Sequence, residues 1–130
     1  MAETEGAEMP ERLLITRTTT GDRVCVVALA GEVDIDGSAR LRESLLACLE
    51  TAPATVVDLG EVTFMDSSGI NALITAHQAA ESAGKPLCLA APRGAVLRVL
   101  QLVGVDALIP WHAGLDEALA QSRTFGASGG

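Results

Sequence analysis

The sequence predicts an α/β protein: a mostly parallel sheet carrying an antiparallel N-terminal hairpin, with elements in the order ββαβαβαβα. Three observations lead there. Two runs rich in β-branched residues flank a Gly-Asp turn signal near the N-terminus. Further along, short apolar runs alternate with amphipathic stretches of helical period, and such alternation closes through right-handed crossovers into a parallel sheet. Finally, the chain of 130 residues is 48% hydrophobic but only 2% aromatic, so its core has to be built from Leu, Val, Ile and Ala.

The hairpin is Leu13-Leu14-Ile15-Thr16-Arg17-Thr18-Thr19-Thr20, the turn Gly21-Asp22, and Arg23-Val24-Cys25-Val26-Val27-Ala28-Leu29-Ala30, ended by Gly31. From Asp36 the period changes. Leu41, Leu45, Cys48 and Leu49 share one face while Arg40, Arg42, Glu43 and Glu50 take the other, giving a helix that stops before Pro53. Thr55-Val56-Val57-Asp58-Leu59 reads as a strand buried on both faces, and residues 60–66 as a loop. A second helix follows, with Ile70, Leu73, Ile74 and His77 on one stripe and Gly84 as its stop. Pro86 to Ala91 is the next strand, and Val96, Val99, Leu100 and Val103 define a third helix ended by Gly104. Leu108-Ile109-Pro110 is expected as a short last strand, and a final helix runs from about Leu115 to Gln121. No internal repeat is visible.

One domain, residues 12–122, is expected between a flexible acidic tail at 1–11 and a flexible Gly/Ser tail at 123–130. With 9 basic against 17 acidic residues the net charge is −8, and Lys85 is the single lysine. Glu3, Glu5, Glu8 and Glu11 supply half of that excess from a tail that presents no fixed geometry for a metal. Nucleic acid and anionic membranes both need clustered positive charge, so neither is expected as a partner. Phe64, Trp111 and Phe125 are too few and scattered for a stacking platform. Cys25, Cys48 and Cys88 show no paired spacing, which points to buried thiols in a reducing cytoplasm. Neither a signal peptide nor a run of about 20 apolar residues is present.

Chemistry concentrates in Phe64-Met65-Asp66-Ser67-Ser68-Gly69-Ile70, where the chain turns from a strand into the second helix. Asp and Ser are favoured helix N-caps, and an isolated Asp-Ser-Ser-Gly is most often only a helix start. Position adds a functional reading, because ligands and modifications gather at the carboxyl ends of parallel strands, where helix amides favour anions. A phosphoryl group on Ser67 would add about −1.5 to −2 charges at a place where the fold tolerates them. It would also stand beside Asp66 and repel a partner matched to the neutral serine.

Gly31-Glu32-Val33-Asp34, Val56-Val57-Asp58-Leu59, Phe64-Met65-Asp66-Ser67-Ser68-Gly69 and Arg98-Val99-Leu100-Gln101-Leu102-Val103-Gly104-Val105 resemble, in order and spacing, the STAS domain of bacterial anti-sigma factor antagonists. The resemblance covers about residues 12–122. It implies that Ser67 is phosphorylated by an anti-sigma factor that is also a serine kinase of the histidine-kinase-like ATPase fold. Unphosphorylated, such a protein binds the anti-sigma factor and frees the sigma factor; phosphorylated, it is released until a serine phosphatase resets it. This partner switching regulates transcription, commonly in a stress response. By the same resemblance Asp66 presents Ser67, Ser68 and Gly69 shape the helix entry, and Asp34 belongs to the neighbouring partner-binding loop. Asn71 stands where many members have Gly, which makes partner selectivity less transferable. A cytoplasmic monomer without cofactor or metal is implied.

Rival readings fit less well. A phospho-receiver domain would use Asp58 with an acidic pair and a lysine after the last strand, and no such lysine exists; Asp58 reads as a strand-end cap. A serine hydrolase lacks its G-x-S-x-G elbow, and His77 lies about ten residues along the helix from Ser67, roughly 15 Å away. His112 is more simply a satisfied or exposed histidine, and Arg93 a solvated loop residue. A STAS scaffold or sensor with no kinase remains the alternative, since the serine would be needed as a helix cap in either case.

Overall fold

The computed structural model describes the backbone of residues 12–129 and the side chains of residues 12–122, so the acidic run from Glu3 to Glu11 lies outside the described residues. The elements are β1 (Leu13–Thr19), β2 (Val24–Val33), α1 (Ile35–Thr51), β3 (Ala54–Met65), α2 (Ser67–Ala83), β4 (Leu87–Ala90), α3 (Gly94–Leu102), α4 (Val105–Leu108), β5 (Trp111–His112) and α5 (Leu115–Gly129). They form one five-stranded sheet in the order β1-β2-β3-β4-β5, antiparallel between β1 and β2 and parallel thereafter. That is the α/β architecture the alternating pattern predicts, with the single turn α4 added before the last strand.

Aliphatic side chains fill both faces of the sheet. Val27, Leu29, Val57, Leu59 and Leu89 face one side and pack with Leu41, Leu45 and Cys48 of α1, Leu73 and Ala76 of α2, and Val96 and Leu100 of α3. On the other side Val24, Val56, Cys88 and Ala90 are covered by Leu115, Ala118 and Leu119 of α5. The continuous apolar runs of β2 and β3 therefore record burial on both faces. α2 ends as its glycine predicts. Gly84 adopts φ 70°, its N–H donates to the Glu81 carbonyl at 3.1 Å, and the Lys85 N–H returns to the Ala80 carbonyl at 3.0 Å, a Schellman closure. In the hairpin turn it is Arg23, at φ 67°, that takes the left-handed conformation.

Several boundaries differ from the sequence reading. Gly31 does not end β2: the strand passes through it at φ 107° and continues to Val33. β3 likewise runs on to Met65 instead of becoming a loop at residue 60, because Gly31, Glu32 and Val33 pair with Val62, Phe64 and Met65. Register shifts interrupt the ladder after Ala28 and after Gly31, and these bulges disguise the extension in the sequence. Asp58 is consequently not at a strand end; its carboxylate accepts the Gly60 N–H at 3.0 Å beside the bulge.

Leu108 closes α4, and the last strand is Trp111–His112, so the expected strand at 108–110 is displaced by three residues. Pro110 has no N–H to give to a ladder, whereas its carbonyl accepts from Leu89 N at 2.9 Å. α5 continues past Gln121 to Gly129, through the segment read as a Gly/Ser tail, because extending a nucleated helix requires fixing only one more residue per bond. Cys25 and Cys48 were expected as free thiols. The packing of α1 on β2 sets their Cα atoms 6.3 Å apart, within disulfide reach, and the structure joins them, leaving Cys88 as the buried free thiol.

Gly31 is a position where an added side chain would strike backbone. A Cβ there would sit 2.0 Å from the Arg12 carbonyl oxygen, at a positive φ besides. Gly31→Ala should lower stability by more than about 2 kcal/mol in urea unfolding, while Gly21→Ala, with nothing within 4 Å, should change it by less than about 0.5 kcal/mol.

Candidate functional site

Two successive strand–Asp–helix junctions lie side by side at the carboxyl ends of β2 and β3. Val33 and Met65 are register partners, and the Asp66 N–H donates to the Val33 carbonyl at 3.1 Å, fixing one junction against the other. Each aspartate is an extended N-cap. Asp34 accepts the N–H groups of Asp36 at 3.1 Å and Gly37 at 3.2 Å. Asp66 accepts those of Ser68 at 2.9 Å and Gly69 at 3.3 Å, and also the Ser68 hydroxyl at 2.5 Å.

The cap of α2 is thus Asp66, with Ser68 as its side-chain partner. Ser67 is the first residue of the helix, it is exposed, and its hydroxyl takes part in no hydrogen bond among the described residues. This corrects the expectation that the fold needs Ser67 as a cap. Gly69 is required for contact: a Cβ there would lie 2.7 Å from Val33 Cγ1 and 2.8 Å from Met65 Cγ. α2 can therefore start directly against the ends of both strands. Asn71 is exposed one turn further along.

The first turn of α2 contains no acidic residue, and the capping carboxylate faces the positive end of its dipole. The Asp66 carboxyl is held below its ordinary value, chiefly by the Ser68 hydroxyl; desolvation opposes this, and the N–H groups of Gly69 and Ser68 reinforce it. Asp34 is paired directly with a cation at the surface, Arg12 Nη1 donating to its carboxylate at 3.5 Å. Arg12 is 71% exposed, so this pair contributes at most about 1 kcal/mol.

Around these junctions stand two apolar side chains that burial does not explain. Ile35 is 75% exposed beside Asp34, and Phe64 is 47% exposed two residues before Asp66. Ile35 went unrecognised in the sequence. The available signal was its position outside the Leu41, Leu45, Cys48 stripe, directly after a capping aspartate.

The structure leaves the other candidates apart. His77 is buried ten positions along α2, and His112 lies on the edge strand β5. Arg93 is exposed, but its guanidinium donates to the Gly60 carbonyl at 2.6 Å. Among the described residues no group of three or more His, Cys, Asp or Glu could hold a metal, and no helix is long and apolar enough to cross a membrane.

A sequence model of the family described as "Mlab, STAS domain" matches residues 16–110, and the chain belongs to the STAS domain family. Solved structures share the fold. An anti-sigma factor antagonist from Mycobacterium paratuberculosis is 27% identical, with a TM-score of 0.79 over 88% of this chain and 97% of that one. The anti-sigma factor antagonist SpoIIAA in its unphosphorylated form is 19% identical, with a TM-score of 0.74 over 85% and 97% of the two chains. The Bacillus cell fate determinant SpoIIAA in its phosphorylated form gives 18%, 0.66, and coverage of 83% and 98%.

Separate roles for neighbouring residues lead to separate outcomes. Ser67→Ala should leave the urea midpoint within about 0.5 kcal/mol of wild type, whereas Asp66→Ala should cost about 1 kcal/mol through the lost cap. The Asp66 effect has a definite pH dependence. A carboxyl with a lowered folded pKa contributes fully above its unfolded value of about 3.9 and loses that contribution as pH falls through the folded value. The stability gap between wild type and Asp66→Ala, measured by urea unfolding at pH 7 and at stepwise lower pH, should be widest near neutrality and close below pH ~4.

Proposed function

We propose that this STAS domain is an anti-sigma factor antagonist switched by phosphorylation at Ser67. The observation that carries the reading is an exposed serine hydroxyl, without hydrogen-bond partners among the described residues, at the start of α2 in a fold shared with anti-sigma factor antagonists. A kinase needs a hydroxyl it can reach and turn toward its nucleotide, and a helix that survives the new charge. Asp66 and Ser68 secure the helix without using Ser67.

In this reading the unphosphorylated surface, comprising Asp34, Asp66, Ser67, Ser68 and Asn71 and shaped from beneath by the buried Gly69, docks on an anti-sigma factor that is also a serine kinase of the histidine-kinase-like ATPase fold. Ile35 and Phe64 supply the apolar contact that the polar junctions lack. Docking frees the sigma factor for transcription. Transfer of the ATP γ-phosphoryl group to the Ser67 oxygen then places about two negative charges beside the Asp66 carboxylate, whose proton is already held off. Like charges forced together at an interface cost several kcal/mol, and each ~1.4 kcal/mol is tenfold in affinity. Release follows, and a serine phosphatase restores the binding form. The protein carries out no catalysis itself in this cycle, which would run in the cytoplasm where ATP and sigma factors meet. The phosphorylated and unphosphorylated SpoIIAA structures support the reading by showing the same fold in both states.

With ATP and the cognate kinase, one phosphoryl group should be incorporated per chain, and Ser67→Ala should incorporate none by intact mass. Equal labelling of the two proteins would exclude Ser67 as the acceptor. Ser67→Asp should bind the anti-sigma factor at least tenfold more weakly by calorimetry with an unchanged melting temperature; unchanged affinity would remove the electrostatic switch.

A further inference from the structure

Of the three cysteines, the fold brings Cys25 and Cys48 together and holds Cys88 apart. Cys25 on β2 and Cys48 on α1 are 23 positions apart in the sequence, yet their Cα atoms are 6.3 Å apart, a distance a disulfide spans without backbone movement. Cys88 lies on the other face of the sheet, packed with Val56, Ala90 and Ala118. It cannot reach either of the two sulfurs.

Cys25 and Cys48 are both core residues, 3% and 0% exposed. As thiols they would pack in the same aliphatic surroundings, since a free cysteine behaves as a small apolar side chain. Both nevertheless sit near the loose ends of their elements. Cys25 pairs with Thr19 in the last rung of the β1–β2 ladder, beside the hairpin turn. Cys48 lies in the final turn of α1, where its carbonyl accepts the N–H of the C-cap Ala52 at 2.9 Å. Element ends open locally at a free energy well below that of global unfolding, and such opening gives a small reagent access to sulfurs that the closed fold shields.

The two cysteines also lie at the far end of α1 from its Asp34 cap. Joining them closes a loop made of most of β2 and α1 without changing any residue around Asp34 or Ser67.

We propose that Cys25 and Cys48 form a reversible dithiol–disulfide couple, oxidised by hydroperoxides and reduced by dithiols, that sets the stability of the fold. With hydrogen peroxide, the thiolate of one cysteine attacks a peroxide oxygen, the O–O bond breaks, and the released hydroxide takes a proton to become water. The sulfur is left as a sulfenic acid. The second cysteine then attacks that sulfur, the S–S bond forms, and the hydroxide displaced leaves with the thiol proton as a second water. The two thiols have lost two electrons and two protons, and the peroxide has gained them. In the reverse direction one thiolate of a dithiol attacks a sulfur of the pair. Its second thiol resolves the mixed disulfide, and the reductant leaves as a cyclic disulfide. The cross-link stabilises by restricting the unfolded chain. The couple is independent of the Ser67 reading, because it uses no residue of the docking surface.

Thiol alkylation read by mass, with peptide mapping, tests it on the full chain. After dithiothreitol all three cysteines should alkylate; after hydrogen peroxide only Cys88 should, with the Cys25 and Cys48 peptides joined. Dithiothreitol added to the folded, oxidised protein should restore all three. The oxidised form should melt roughly 5–15 °C above the reduced form. Cys25→Ala and Cys48→Ala should each abolish that difference, and Cys88→Ser should keep it. The proposal would be overturned by three alkylatable cysteines after peroxide, by sulfinic acid at either cysteine in place of the cross-link, or by a cross-link to Cys88. Equal melting temperatures for the two wild-type forms, or a disulfide that dithiothreitol cannot reduce in the folded protein, would overturn it equally.

Discussion

The hydrogen bond from the Asp66 N–H to the Val33 carbonyl, with the Val33–Met65 pairing behind it, is the constraint on which the candidate site depends. It fixes the end of β3 against the end of β2, so two helices start at neighbouring points and their capping aspartates share one surface. Two glycines make that approach possible. Gly31 lets β2 pass the Arg12 carbonyl, and Gly69 lets α2 begin in contact with Val33 and Met65. With a side chain at either position, the ends of the strands would have to move apart and the surface would lose its shape.

Asp66 and Ser67 divide the work of a helix start in a way that suits a switch. A serine acting as an N-cap would have its oxygen engaged with the first turn, and modifying it would remove a structural bond. Here the carboxylate of Asp66 satisfies the amides of Ser68 and Gly69, and the Ser68 hydroxyl engages that same carboxylate. The fold consequently has little stake in the Ser67 hydroxyl, and a change of charge there would leave the bonds of the helix start intact. Ile35 and Phe64, close in sequence to Asp34 and Asp66, add exposed apolar surface to the two acidic junctions.

The arrangement of strands and helices was legible because periodicity reports burial. Leu41, Leu45 and Cys48 recur at helical spacing and do face the sheet, Gly84 stops α2, and the Gly21-Asp22 signal sits in the hairpin turn. The misreadings also have physical causes. Bulges after Ala28 and Gly31 break the alternation that would reveal the long ends of β2 and β3. β5 is held by two residues, too short for any pattern, and the Cys25–Cys48 contact joins positions whose separation of 23 carries no motif.

The sequence by itself determined the α/β class, the aliphatic core and the Asp-Ser-Ser-Gly helix start, since these depend on local composition and on period. Tertiary structure decided which oxygen caps α2 and which hydroxyl is left exposed. Those outcomes depend on atoms brought together from separate strands and helices. Adjacent residues such as Asp66, Ser67 and Ser68 are almost equally good caps on paper, and only the path of the chain between β3 and α2 chooses among them.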